Sequence, residues 1–291
     1  MRVVLPWPLR VFERVRVAPP RESGPDLSTT SCIDVRDPHA EAFLRERLAT
    51  LKSDARAVEA DNWWLLNSNL TDLGYVRLVI DIAVALTADG RPPEDISVLD
   101  WGGGPGFLSY LLEALGFRTT YFDLKSDSPS YHLVLDRLSG SVEYVDDPVA
   151  LPFPDAGFDA AISFGVLEHV PDPNGSLTEL HRVLKPGGML FVYHYPNRYG
   201  YIELVAKMLG KEVHDRRLSR RELQTMLVER GFGVVHSTYR YLLPRNITDY
   251  PRARAFVNKH SDGIYSFDAA LTRIPGLRAL ATTLNEACVR R

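Results

Sequence analysis

The sequence predicts an α/β protein built on a doubly wound, seven-stranded and mostly parallel sheet with helices on both faces. After residue 95, short apolar runs bounded by turn residues alternate with segments of helical spacing. A glycine-rich loop joins the first of these runs to the segment that follows it. The composition, 291 residues of which 45% are hydrophobic, allows one large domain with additions. Strands that alternate with helices in this way form parallel sheets covered on both sides.

Four regions differ in composition and spacing. Residues 1–40 are rich in Arg, Pro, Ser and Thr, which predicts a loose N-terminal arm. Residues 41–93 have helical spacing and end at "DGRPPED", which predicts a helical unit. Residues 94–243 carry the alternating pattern and form the predicted core. Residues 244–291 hold a long insertion and the last predicted strand, and we expect the insertion to cap the ligand-binding edge.

Each element of the core has its own signal. The predicted strands are "ISVLD", "RTTYFDL", "SVEYVDD", "FDAAISF", "GMLFVYHY", "GVVHSTYRYLL" and "NEACVRR". The segment "FLSYLLEALGF" has helical spacing, and "NGSLTELHRVLKPGG" predicts a helix that stops at Lys185 and a glycine pair. A third helix starts with Ser219 as its N-cap and Glu222 three residues later. Right-handed crossovers would place all the carboxyl ends of the strands at one edge, where ligands bind.

The loop in "VLDWGGGPGFLSYLL" is the strongest functional signal. Gly102, Gly104 and Gly106 lack a Cβ, so a ligand can approach the backbone, and the next helix offers its free N–H groups. Asp123 ends the second strand, where its carboxylate can accept hydrogen bonds from both hydroxyls of a ribose. This pattern also suits NAD, but the spacing is GxGxG rather than GxGxxG. Asp100 would help to hold a cationic group and does nothing useful for a pyrophosphate.

The core resembles the class I S-adenosylmethionine-dependent methyltransferases. The resemblance is carried by "VLDWGGGPGFLS", "YFD", "VDDPVALPFPDAGFDAAISFGVLEHVPDP" and "ELHRVLKPGGMLFV", which occur in the family's order. It spans about residues 96–237 and is closest to the small-molecule branch that includes the ubiquinone-biosynthesis enzymes. It implies a Rossmann-like fold, S-adenosylmethionine as cofactor and methyl transfer to a small-molecule acceptor, such as a hydroxyl of a sugar, polyketide, quinone or lipid-linked intermediate.

The resemblance also implies roles for individual residues. Asp100 and the glycine loop would line the methionine part of the cofactor, Asp123 would hold the ribose, and Asp147 would accept from the adenine amino group. The implied cofactor-binding residues are Asp100, Trp101, Gly102, Gly103, Gly104, Gly106, Phe107, Asp123, Leu124, Asp147, Pro148, Phe164, Gly165 and Val166. In this family N-terminal helices often form a lid, and Trp63, Trp64 and Tyr75 would be its aromatic side chains.

Three histidines are candidate general bases for deprotonating an acceptor hydroxyl. His169 follows the fourth strand, His194 ends the fifth strand, and His214 precedes the next helix. Glu168 stands beside His169 and completes the candidate catalytic set.

Some relatives carry E-x-x-E-H after the fourth strand and bind a divalent metal there. Here Glu168, His169 and His214 match the later part of that pattern, and Gly165 replaces its first glutamate. A hard cation would then need water or a substrate oxygen as a further ligand. The sequence therefore predicts no metal, with Glu168, His169 and His214 as the ligands if one binds.

The bulk properties exclude several classes of protein. Cys32 and Cys288 lie at opposite ends of the chain and form no CxxC pair, so the sequence suggests neither a zinc site nor a disulfide framework, and it favours the cytoplasm. No run reaches the roughly 18–20 apolar residues of a membrane span, so we expect no stable membrane insertion. The net charge of -3 disfavours nucleic acid as a partner. An RNA ribose 2′-O-methyltransferase, a non-catalytic cofactor-binding scaffold and a nicotinamide oxidoreductase remain alternatives, and the oligomeric state is not predicted.

Overall fold

A seven-stranded sheet forms the centre of the structure, with the strand order β3-β2-β1-β4-β5-β7-β6. The computed structural model describes residues 32–58, 69–124, 134–145, 147, 149–208, 214, 216–244 and 251–291. The strands are β1 (Ser97–Trp101), β2 (Arg118–Leu124), β3 (Ser141–Val145), β4 (Phe158–Phe164), β5 (Leu184–Pro196), β6 (Phe232–Arg240) and β7 (Thr283–Arg290). Most of the predicted arm, Trp63, Trp64 and Pro148 lie outside the described residues.

Helices cover both faces of the sheet, as predicted. They are α1 (Ala40–Val58), α2 (Asn69–Leu86), α3 (Phe107–Glu113), α4 (Pro173–Val183), α5 (Tyr201–Met208), α6 (Arg220–Glu229), α7 (Pro251–Lys259) and α8 (Ser261–Leu271). Side chains of α1, α2 and α3 form one hydrophobic core with the sheet, and those of α4 and α6 form a second core. The predicted fold class is therefore confirmed.

The central strands are apolar on both sides because both faces are covered. In β4 every residue from Phe158 to Ser163 is buried. β4 pairs in parallel with β1 on one side and with β5 on the other. The carboxyl ends of β1, β2, β4 and β5 consequently meet at one edge of the sheet, which places the glycine loop there.

Two details of the sequence prediction are wrong. The fourth helix ends at Val183, before Lys185, and Leu184–Pro196 is strand. Pro186 explains the early end, because a proline disfavours helical backbone in the residue before it. The second error concerns β7, which runs antiparallel to β5 and β6, so its carboxyl end lies at the opposite edge.

The capping signal of α6 is confirmed in full. The Ser219 hydroxyl accepts from the Glu222 backbone N–H, and the Glu222 side chain accepts from the Ser219 backbone N–H. This reciprocal pair satisfies two N–H groups that would otherwise lack partners at the helix start.

The C-terminal insertion packs against α2. Leu70 and Leu73 of α2 form a small apolar cluster with Val257 of α7 and Tyr265 of α8. Arg77 of α2 lies over the Tyr265 ring, with its Cζ 4.7 Å from the ring centroid. These contacts place α7 and α8 beside the helical unit that precedes the core.

Candidate active site

The glycine loop takes a backbone shape that favours glycine at three positions. Gly102, Gly104 and Gly106 have φ angles of 69°, 53° and 79°. A Cβ on Gly102 would lie 2.5 Å from a methyl carbon of Val166, whereas a Cβ on Gly104 would meet nothing within 4 Å. The loop is thus packed against the protein at Gly102 and open at Gly104, where a ligand can lie against the backbone.

Asp100 is buried at the end of β1, directly beneath this loop. Its Oδ2 accepts hydrogen bonds from the Ser109 hydroxyl at 2.7 Å and from the Ser109 backbone N–H at 3.2 Å. Burial raises the pKa of Asp100 to about 6, and the two bonds from Ser109 oppose that rise. The site therefore offers a carboxylate that titrates close to neutral pH.

Asp123 connects the second strand to the loop. Its Oδ2 accepts from the Gly104 backbone N–H at 2.7 Å, and its Oδ1 accepts from the Leu124 N–H at 2.7 Å. The Tyr121 hydroxyl donates to the Gly104 carbonyl at 2.7 Å. The same hydroxyl also lies 3.3 Å from Asp123 Oδ2. A carboxylate has about four acceptor positions, so Asp123 can still accept a hydrogen bond from a ribose hydroxyl.

A pocket with about 310 Å³ of empty space, part of it open to solvent, lies between the loop, α2 and the end of β4. It is lined by Tyr75, Asp100, Gly102, Gly103, Gly104, Pro105, Phe107, Leu108 and Phe164. The pocket thus brings together six predicted cofactor residues and the predicted lid residue Tyr75. The Trp101 side chain instead lies in the second hydrophobic core, 2% exposed.

Asp147 lies in the turn after β3. Its Oδ1 accepts from the backbone N–H groups of Val149 at 2.8 Å and of Ala150 at 3.3 Å. The side chain is therefore part of a local turn, and its contact with an adenine stays a prediction.

At the end of β4, aromatic rings form a continuous row from the pocket outward; we call this the acceptor side of the proposed site. Phe164 contacts Tyr75 at a centroid distance of 5.1 Å and stacks flat on His194 at 5.0 Å, with 6° between the ring planes. The His194 ring in turn meets Tyr241 edge-on at 5.7 Å. Tyr241 also lines a second, smaller pocket with about 190 Å³ of empty space, together with Leu70, Leu243, Ile264, Tyr265 and Asp268.

His194 and Tyr241 have an uncommon backbone conformation. Their φ angles are 66° and 67°, in the left-handed region that L-residues with side chains avoid. The last strand and the residue before it hold both residues: the Asn285 side chain accepts from the His194 N–H at 2.9 Å, and the Tyr241 carbonyl accepts from the Thr282 N–H at 2.9 Å. Strain that is held in place by the surrounding structure is a feature of functional sites.

Glu168, His169 and His214 lie together, as the sequence predicts. One potential ligand atom from each lies within 4.8 Å of the others. His169 is exposed and Glu168 is buried, and burial raises the pKa of Glu168 to about 7. A Cβ on Gly165 would lie 3.7 Å from Glu168 Oε1, so a side chain there would face the cluster.

A family model described as a methyltransferase domain matches residues 99–192. The chain is 32% identical over 176 residues to the ubiquinone biosynthesis O-methyltransferase of Dechloromonas aromatica (strain RCB). This match covers 54% of this chain and 70% of that protein. It is 34% identical over 146 residues to the ubiquinone/menaquinone biosynthesis C-methyltransferase UbiE of Rhodopseudomonas palustris (strain HaA2). That second match covers 47% of this chain and 57% of the relative's length.

The chain belongs to the class I S-adenosylmethionine-dependent methyltransferases. A crystal structure of the MccD protein has the same fold, with a TM-score of 0.51 and 16% identity over 74% of this chain and 97% of that chain. Because one relative is a C-methyltransferase and the other an O-methyltransferase, the comparisons leave the atom that is methylated open.

S-adenosylmethionine is the cofactor of this methyltransferase family, and the residues that line the pocket suit its functional groups. The buried Asp100 carboxylate suits the cationic amino group, and the open side of Gly104 gives the ligand access to the backbone. Asp123 stands at the adjacent strand end with acceptor capacity for a ribose.

Sequence reasoning missed Tyr121, Tyr241 and Asn285. Asn285 and Glu286 are polar residues inside the otherwise apolar run of the last strand, which was a readable signal. No sequence pattern indicated Tyr241, because its contact with His194 depends on where β5 and β6 end in the folded sheet.

Among the described residues, none of the helices combines the length and apolar character that crossing a membrane requires.

Proposed function

We propose that this methyltransferase transfers the methyl group of S-adenosylmethionine to a hydroxyl oxygen of a small-molecule acceptor. The observation that carries this proposal is the row of rings from the cofactor pocket through Phe164 to His194. Only the Phe164 ring stands between the His194 imidazole and the pocket lined by the predicted cofactor-binding residues. When bound, S-adenosylmethionine supplies a methyl group already activated on a sulfonium.

The residues of the pocket hold and align the reactants. Asp100 binds the cationic amino group, Asp123 accepts from the ribose hydroxyls, and Asp147 accepts from the adenine amino group. Tyr75 and Phe164 exclude water from the end of the pocket nearest the acceptor. Alignment is the main requirement, because an in-line displacement proceeds only when donor and acceptor atoms are held in near-attack geometry.

His194 accepts the proton of the acceptor hydroxyl. Its backbone is fixed by Asn285, and its ring is fixed against Phe164, so the imidazole has a defined position. A positioned base contributes typically 10²–10⁴-fold to such a reaction. The second pocket, which Tyr241 helps to line, has largely apolar and aromatic walls and would receive the apolar part of the acceptor.

A metal-assisted reaction is the second candidate, favoured by the clustering of Glu168, His169 and His214. These residues would hold a divalent cation that polarises the acceptor oxygen, with Gly165 leaving one ligand position to water or substrate. Chelation separates the two candidates: full activity in EDTA without added Mg²⁺ or Mn²⁺ removes the metal, and loss of activity restored by either ion supports it.

The first test measures S-adenosylhomocysteine binding by calorimetry, then methyl transfer from labelled S-adenosylmethionine to a panel of hydroxylated sugars, quinols, polyketides and lipid-linked intermediates. We expect binding, and transfer to at least one acceptor. Binding without transfer to any acceptor would support the non-catalytic cofactor-binding scaffold, and absence of binding would overturn the proposal. Binding of RNA that weakens steeply with salt, together with ribose methylation, would support the RNA alternative.

The second test assigns the base. His194→Asn should retain cofactor binding and lower kcat by about 10²-fold or more, because it removes the proposed base. His169→Asn is the matched control, since His169 is an exposed imidazole at the same edge. If His169→Asn has the larger effect on kcat, the base belongs to the Glu168 cluster instead.

A further inference from the structure

The outer face of the C-terminal insertion combines aromatic and basic side chains. In α7, Val257 is buried toward α2, while Arg252, Phe256 and Lys259 are exposed. Their spacing of four and three residues places these three side chains on one stripe of the helix. In α8 the buried residues Ser261, Tyr265 and Asp268 mark the inner face, and Phe267 is exposed. Each helix therefore packs one face on the protein and leaves the opposite face, with these aromatic and basic side chains, exposed to solvent.

Exposed apolar side chains are concentrated in this part of the molecule. Of the twelve large apolar residues that are exposed among the described residues, eight lie within 199–208 and 256–280. They are Tyr199, Val205, Met208, Phe256, Phe267, Ile274, Leu277 and Leu280. Phe256 and Phe267 are 61% and 58% exposed. Single exposed apolar side chains are ordinary, but several of them gathered in one part of a surface are typical of an interaction site.

The two segments adjoin each other at the active edge of the sheet. Asn197, which follows β5 directly, donates from its side-chain amide to the carbonyls of Ala279 and Ala281, each at 2.8 Å. Gly200 packs closely on the same stretch, since a Cβ there would lie 3.2 Å from the Ala281 carbonyl oxygen. The turn that carries Leu277 and Leu280 thus lies beside the start of α5 and borders the acceptor side of the site.

The charge of the insertion is opposite to that of the whole chain. Residues 251–280 contain five basic side chains (Arg252, Arg254, Lys259, Arg273 and Arg278) against Asp262 and Asp268, a net charge of +3, whereas the chain has -3. Both carboxylates are engaged with the protein: Asp262 pairs with Arg45 and Arg77, and Asp268 accepts from the N–H groups of Leu242 and Leu243. Arg254 is half-buried and Arg278 lies over the Tyr239 ring, with its Cζ 6.0 Å from the centroid. Arg252, Lys259, Arg273 and Arg278 are all exposed, so the outward face presents positive charge.

We propose that the outer face of residues 251–280, continued by α5, is a docking surface for an anionic lipid membrane. Aromatic side chains flanked by lysine and arginine on one helical face are suited to the boundary between lipid headgroups and acyl chains. The basic side chains attract anionic headgroups, and each one that lies close to the membrane surface adds favourable free energy of binding. Because the surface borders the acceptor side of the site, docking would hold that side of the enzyme at the membrane, within reach of an amphipathic acceptor.

Vesicle sedimentation tests this surface independently of catalysis. The full chain is mixed with vesicles of phosphatidylglycerol and phosphatidylcholine, and separately with phosphatidylcholine alone. We expect sedimentation with the anionic vesicles, weakened by salt, and little with the neutral ones. Phe256→Ser combined with Phe267→Ser should weaken binding at least about tenfold, because it removes two side chains that would enter the interface.

Val228→Ser is the matched control, since Val228 is 51% exposed but lies on α6, outside this surface. It should bind vesicles like the parent chain, and all variants should retain S-adenosylhomocysteine binding, which shows that they are folded. Equal sedimentation of the double variant and the parent would overturn the proposal. So would absence of binding to anionic vesicles at low salt, or a parent dimer that the double variant converts to monomer, since the face would then join two copies of the chain.

Discussion

The two sides of the proposed site achieve the same backbone conformation with different residues. On the cofactor side, the left-handed positions are Gly102, Gly104 and Gly106, where this conformation carries no steric penalty. On the acceptor side they are His194 and Tyr241, where it costs about 1–2 kcal/mol each. The cofactor side needs bare backbone against a ligand. The acceptor side needs side chains, and it tolerates strain because the last strand and the residue before it hold both residues in place.

This difference indicates how the two sides are stabilised. The glycine loop keeps its shape through bonds to the neighbouring strand β2, such as those from Gly102 and Gly103 N–H to the Phe122 carbonyl at 2.7 Å and 3.2 Å. The acceptor side depends on Asn285 and Thr282, which are distant in sequence. Damage to β7 should therefore affect the acceptor side before the cofactor side.

The largest expected effect comes from filling the open side of the loop. Gly104→Val introduces a side chain where nothing lies within 4 Å, so it would occupy the space of the cofactor. We expect at least a roughly 100-fold loss of S-adenosylhomocysteine affinity by calorimetry, in addition to the strain of about 1–2 kcal/mol for a left-handed L-residue.

Gly187→Val is its control. Gly187 has a φ of 80° and equally open surroundings, but it lies at the start of β5, away from the pocket. It should lose similar stability in urea unfolding and keep full cofactor affinity. Equal affinity losses in the two variants would show that the loop acts through stability alone.

Asp100→Asn should lower cofactor affinity about tenfold, because a hydrogen bond between charged groups becomes one to a neutral amide. In the parent, affinity should rise as the pH rises through about 6, where the buried Asp100 carboxyl ionises. The sign for stability is opposite. A carboxyl whose pKa is raised from 3.8 stabilises the free protein fully below that value and loses this contribution as the pH rises through about 6. An affinity profile that keeps this inflection in Asp100→Asn would assign it to another group.

The smallest effect concerns strain at His194. At an ordinary strand position alanine is more stable than glycine by roughly 0.5–1 kcal/mol. At His194 the order should reverse, with His194→Gly more stable than His194→Ala by about 1 kcal/mol in urea unfolding. Ser237, within β6, should show the ordinary order when changed to the same two residues. If the alanine variant is more stable than the glycine variant at both positions, the backbone at His194 is not strained.

The sequence predicted the cofactor side well because its signals are local. Glycine spacing, a strand before the loop and an acid at the next strand end all fall within a short stretch of chain. The helix before β5 was predicted too long because Pro186 acts on the residue before it. The direction of β7 and the meeting of His194 with Tyr241 could not be predicted, since no local pattern encodes which strand pairs with which. The clustering of Glu168 with His214 followed from the family resemblance, and its role stays a prediction.

The position of β7 between β5 and β6 has a consequence for how the chain folds. In the described sheet β6 pairs with β7 alone, yet β6 leaves the ribosome first. During synthesis β6 therefore has no strand to pair with until the insertion and β7 have been synthesised. This interval is the time when the chain is most open to misassembly or to capture by a chaperone.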